Sequence, residues 1–128
     1  MAFLNDAALD AALNWVISNG TRIDFCSAEP TTYTQATSTL TLANQTGITL
    51  TAIANASPDG RETTIPSTVS ATVTADGTVT HWALTDGIGT LVATGAMSSS
   101  VSVLVGGGSN TLDLTAAIPI RVRDAISL

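Results

Sequence analysis

The sequence predicts a mainly β protein, an antiparallel β-sandwich or jelly-roll-like barrel with one N-terminal α-helix. Three observations lead there. Only 11% of residues are charged while 45% are hydrophobic, so the polarity comes from Thr, Ser and Asn, and β-branched threonine fits a half-solvated pleated surface. After Gly20 apolar residues recur with period two, between Gly, Pro and Asp punctuation. A helical period occurs once, over residues 5–19. At 128 residues the chain has room for one domain, 1–128, around one core.

In the helix, Leu9, Leu13 and Val16 fall on one face, with Ala12 beside them. Asn5 or Asp6 caps its start, and Gly20 suits the left-handed residue that follows many helices. The polar stripe Asp6, Asp10, Asn14, Ser18 is narrow, because Phe3, Leu4, Ala7, Ala8, Ala11, Trp15 and Ile17 widen the apolar side. "TRIDFCS" (21–27) alternates Ile23 and Phe25 against Arg22, Asp24 and Cys26 and reads as a strand. "AEPTTYTQATST" (28–39) reads as an extended loop, "GITLTAIA" (47–54) as a strand, and "NASPDG" (55–60) as a turn into the strand "RETTIP" (61–66). "STVSATVTADGTVTHWAL" (67–84) reads as a hairpin about Asp76-Gly77. "TDGIG" (85–89) turns into the strands "TLVATGAM" (90–97) and "SVSVLV" (100–105), and "TLDLTAAIPIRVR" (111–123) closes the chain, split near Ala116. These are seven to nine short strands at hairpin spacing.

Little in the chain suits catalysis. His81, the one histidine, sits in a predicted strand beside Trp82, with no nucleophile elbow of the G-x-S-x-G type anywhere. Cys26 is the one cysteine, so no intrachain disulfide forms, and a single Cys and His make no ordinary zinc site. Asp59-Gly60, Asp76-Gly77 and Asp86-Gly87 lack the calcium-loop pattern and read as tight turns. "VGGGSN" (105–110) has neither the lysine nor the following helix of a phosphate loop. No cofactor or metal is implied. The net charge is −6 and there is no lysine, which predicts no nucleic-acid binding and no attraction to anionic membranes. "MAFLNDAALD" has no basic n-region, and no apolar run reaches membrane-span length, so synthesis in a cytoplasm without a cleaved signal is expected.

The helix is the remaining candidate. Its wide apolar girth covers the open end of a sandwich, docks a neighbouring subunit, or does both. Leu9, Leu13 and Val16 are expected to face the chain's own sheet, leaving Phe3, Leu4 and Trp15 for a partner.

The succession "GTRIDFCSAEPTTYTQATST", "NQTGITL", "DGRETTIP", "HWALTDG", "LVATG" and "IPI" resembles small β-rich virion structural proteins of tailed bacteriophages and prophages, over nearly the whole chain. These motifs are turns and strand patterns, and the resemblance carries over no catalytic residue. It implies a non-enzymatic virion component made in the host bacterial cytoplasm, first of all a capsid decoration or cement protein stabilising the outer head shell. Its implied partners are the major capsid protein or other virion proteins and sister copies, with a trimer preferred by analogy with decoration proteins on local threefold positions. A tail or fibre component that binds a host-surface glycan is the alternative; it needs Trp15, Tyr33 or Trp82 exposed, and aromatics are only 4% of the chain. A small enzyme using His81 and Cys26 is the remote third.

Overall fold

The structure is a computed structural model and describes residues 4–106 and 110–124. The mainly β fold is as the composition predicts. Among the described residues nine antiparallel strands follow one α-helix: α1 (Asp6–Asn19), β1 (Arg22–Cys26), β2 (Thr41–Thr46), β3 (Ala54–Asn55), β4 (Arg61–Ile65), β5 (Ser70–Val73), β6 (Gly77–Thr85), β7 (Leu91–Val103), β8 (Thr111–Asp113) and β9 (Ile118–Val122). Six strands form a sheet in the order β7-β6-β1-β2-β5-β8, curled into a half-barrel. The other three form a small sheet, β3-β4-β9. One core joins them: Ile23, Phe25, Val79 and Leu84 from the large sheet meet Ile65 from the small one.

Helix α1 forms where the apolar period predicts. The Asn5 side chain accepts from the Ala7 amide at 2.8 Å, satisfying one of the orphan donors of the first turn. Leu9 and Leu13 are buried, and the helix lies against β4 and β9. An isolated helix of this length is marginal in water, so these two side chains, worth about 1.5–3 kcal/mol each, hold it in place. Asp10 adds a bidentate ion pair to Arg61 of β4, at 2.7 and 3.2 Å. Gly20 is not left-handed as expected, its φ being −82°. Its requirement for glycine is steric: a Cβ there would stand 2.6 Å from Leu84 Cδ2 and 2.8 Å from the Val16 carbonyl. Gly20 thus lets the helix exit press onto β6.

Strand β1 is buried on both faces. Ile23 and Phe25 enter the main core, while Cys26 joins Ala36 and Ala83 in a second small cluster. The cover on that second face is the segment after β1. It was expected to be extended, but it contains a wide helical turn, Gln35–Thr39, closed by Leu40 N–H donating to the Gln35 carbonyl. The turn is fixed by its own side chains: Thr31 donates to Gln35 Oε1 and Thr37 to the Tyr33 carbonyl. The fully buried Asp24 is matched by Arg22, at 2.8 and 2.9 Å, and by the Thr41 hydroxyl at 2.8 Å. With those bonds made, the carboxylate meets the condition under which a buried charge is tolerated.

Three strand expectations are corrected. The strand after the helical turn is β2, Thr41–Thr46, and residues 47–54 are not laddered except at Ala54. Gly47, at φ +69°, turns the chain out of β2, after which Ile48 and Leu50 are buried as anchors. The hairpin about Asp76-Gly77 does not exist: β5 pairs with β2 and β8, and β6 with β1 and β7. The chain crosses the end of β2 instead, with the amides of Thr74 and Ala75 on the Leu42 carbonyl and the Asp76 carboxylate accepting from Val105 N. Finally, residues 90–97 and 100–105 are not two strands; β7 is a single strand of 13 residues. Its register with β6 shifts twice: residues 97–100 stand opposite Thr80 alone, and Val92 is passed over between the partners of Leu84 and Thr85.

Candidate docking site

The outer face of α1 is built by the same packing that fixes the inner one. With Leu9 and Leu13 turned onto the small sheet, and Val16 and Ile17 half-buried against the core, the opposite side presents Ala7, Ala8, Ala11, Ala12 and Trp15, with Asn14 and Ser18 among them. All are exposed, Trp15 by 50%. Leu4, 39% exposed, precedes the Asn5 cap and lies outside the helix. Ala8, Ala11 and Trp15 recur at i, i+3, i+7 and share one line along the helix. Such a face admits a close approach by another surface. Of the three expected docking residues, the structure therefore leaves Leu4 and Trp15 exposed as the sequence suggests; Phe3 lies outside the described residues.

Sequence reasoning missed other exposed apolar side chains. Ile88, at 87% exposure, tips the turn from β6 to β7, while Leu104 and Val105 follow the end of β7. Ile88 was legible: an isoleucine between glycines in a tight turn has nothing to pack on. The turn is rigid because the Asp86 carboxylate accepts from the amides of Ile88, Gly89 and Thr90, each at 2.9 Å. These bonds, that from Gly89 first, hold the carboxyl well below the usual range. Thr21 donates to the Asp86 carbonyl, which puts this tip beside the exit of α1.

The charges are arranged simply. Each of the four arginines pairs with a different carboxylate: Arg22 with Asp24, Arg61 with Asp10, Arg121 with Glu62, Arg123 with Asp59. Ten acids less these four leave Asp6, Glu29, Asp76, Asp86, Asp113 and Asp124, which account for the net −6. No arginine offers an uncompensated charge to a phosphate.

The chemistry-bearing residues are brought partly together. Cys26 and His81 are register partners on adjacent strands. Yet Cys26 is fully buried with its thiol toward the Ala36 carbonyl, and burial, helped by the Asp24 charge, pushes its pKa up to about 12. A nucleophilic cysteine needs the reverse shift. The His81 Nδ1 lies 2.9 Å from the Thr80 hydroxyl. The three Asp-Gly carboxylates have separate employments: Asp59 on Arg123, Asp76 on an amide, Asp86 within its turn. Among the described residues no three His, Cys, Asp or Glu side chains gather as a metal-ligand set, and no helix is long and apolar enough to cross a membrane. Of the aromatics a glycan platform would need, Trp15 is exposed, Tyr33 is half-buried and Trp82 is buried.

No protein-family model, curated protein or solved structure matches this chain.

Proposed function

We propose that this chain is a non-enzymatic virion structural protein of a tailed bacteriophage, a decoration or cement protein that stabilises the outer head shell and docks through the outer face of α1. The observation that carries the docking is the half-exposed Trp15 in line with Ala11 and Ala8, on a helix already anchored from its other side. The virion role rests on the sequence resemblance. The partners are the major capsid protein or other virion proteins, together with sister copies, a trimer being the preferred assembly. Six uncompensated carboxylates suit an outer surface better than one facing packaged DNA.

The energetics are adequate for such a part. Removing about 400 Å² of apolar surface from water at each contact gains about 10 kcal/mol gross. Association costs consume much of that gain, and many copies acting on one shell restore it collectively. The test is Trp15→Asp, assayed by circular dichroism, by sedimentation and by binding to shells lacking the protein. The fold should persist while association or shell binding weakens. A Trp15→Asp protein that binds and assembles like wild type would remove the helix face from the interface.

A further inference from the structure

A second open surface is formed by none of the residues of α1. A cleft of about 400 Å³ lies between the bulged stretch of β7 and residues 112–119, which lead from β8 into β9. That volume is near the lower end for small-ligand pockets, about 300–1,000 Å³. Its walls include Met97, Val101, Leu112, Leu114 and Ile118, and among the described residues Asp113 is the one charged residue lining it.

Trp82 also lines the cleft, although only 7% of it is exposed. Its indole N–H has no acceptor among the described residues, yet it is not sealed from solvent as a buried orphan would be. A nine-tenths buried tryptophan usually finds a partner for this group. Gly95 sets the ring's position. It stands opposite Trp82 in the β6–β7 register, and a Cβ there would come within 2.6 Å of the indole. The ring therefore lies across β7, beside the cleft.

The rim of this cleft is an edge strand. Among the described residues β7 ends the large sheet and ladders only with β6. Along its 13 residues it carries no charged residue and no proline. Proteins usually guard a long edge with such residues, because free N–H and C=O groups recruit another strand. Here an edge without charge or proline, bulged over residues 97–100, adjoins an apolar hole with an unused donor.

We propose that this cleft docks an extended peptide segment of a partner protein, uncharged or basic, whose bulky aliphatic side chain fills the hole while its backbone adds to the edge of β7 and one of its carbonyls accepts from Trp82 Nε1. Strand addition supplies backbone bonds, and the pocket supplies side-chain selectivity. The charge of the segment follows from the page: Asp113 at the rim and a chain of net −6 without an unpaired arginine repel an acidic one. This site is independent of whether the helix face holds the chain to a shell.

The test follows the two indole resonances of ¹⁵N-labelled protein, with Trp82 assigned through Trp15→Phe. The probes are the blocked peptide acetyl-Thr-Val-Leu-Val-Thr-amide and the same peptide with Asp replacing Leu. With the first probe, the Trp82 N–H should move downfield and saturate. The Asp peptide should bind at least tenfold more weakly. Ala116→Trp, a substitution at an exposed cleft position, should abolish the response while leaving the spectrum folded. An unmoved Trp82 resonance, an equal response to the Asp peptide, or an undiminished response in Ala116→Trp would each overturn the proposal. So would a Trp82 shift that follows protein concentration without peptide, since the occupant would then be a second copy.

Discussion

Substituting Gly95 by alanine adds one methyl group where β7 passes beneath Trp82. The new Cβ would stand 2.6 Å from Cζ2 and 2.7 Å from both Cε2 and Nε1, far inside ordinary contact. The backbone is held by the β6–β7 ladder, so the ring must give way. The cleft offers it room, and moving there uncovers part of its buried area. A tryptophan buries about 150–250 Å². Losing about a third of that, some 70 Å², forfeits about 1.7 kcal/mol, consistent with the ~1–3 kcal/mol typical of overpacked cores. For a domain of this size that corresponds to a melting temperature lower by roughly 5–8 °C. The assay is a thermal melt by circular dichroism together with tryptophan emission, which should shift to the red. If Gly95→Ala melts like wild type with unchanged emission, Trp82 does not lie across β7, and both the core packing and the cleft argument fail.

Leu13→Asp places an unpartnered charge at a fully buried position, a cost of several kcal/mol against a total stability of about 5–15, so its far-UV spectrum should be that of an unfolded chain; a folded variant would contradict the helix orientation. Cys26 should resist a disulfide reagent at pH 8 in the native protein and react at once in denaturant, because burial keeps it a thiol; fast native labelling would refute its placement. Since its folded pKa is raised, its contribution is fully present below the unfolded thiol value, about 8.5, and declines as pH rises from there toward 12. For Asp86 the sign is opposite. Its folded pKa is depressed, so its contribution is full above the unfolded carboxylate value of about 3.9 and is lost as pH falls through the folded one. Asp86→Ala should therefore melt lower than wild type at pH 7, with the gap narrowing in acid, and a pH-independent gap would show that the carboxylate does not fix the turn.

How much of this was legible depends on what each residue answers to. Helix α1 was legible because Leu9, Leu13 and Val16 repeat at a period no strand shares, and the exposure of Trp15 followed from the same wheel, whereas Leu4 lies before the helix. β2 was not, because Thr41, Asn44, Gln45 and Thr46 look like loop chemistry; they form a strand because β1 and β5 flank them. The false hairpin at Asp76-Gly77 failed for a related reason. Local turn chemistry fits a two-residue hairpin, but the Leu42 carbonyl and the Asp76–Val105 bond carry the chain across the sheet end, and neither is local. Trp82 was rightly read as a core residue, while the cleft beside it depends on Gly95 across the register and on residues 112–119 far along the chain. The register contact of His81 with Cys26 is a consequence of strand pairing that no spacing in the sequence reveals.

The most direct test of the proposed role is electron imaging of intact particles of the producing phage with this protein labelled. The account predicts label in many copies over the outer head surface, at regular positions between capsomers, and its loss from particles assembled with Trp15→Asp. Label confined to the tail, or none on purified particles, would contradict it.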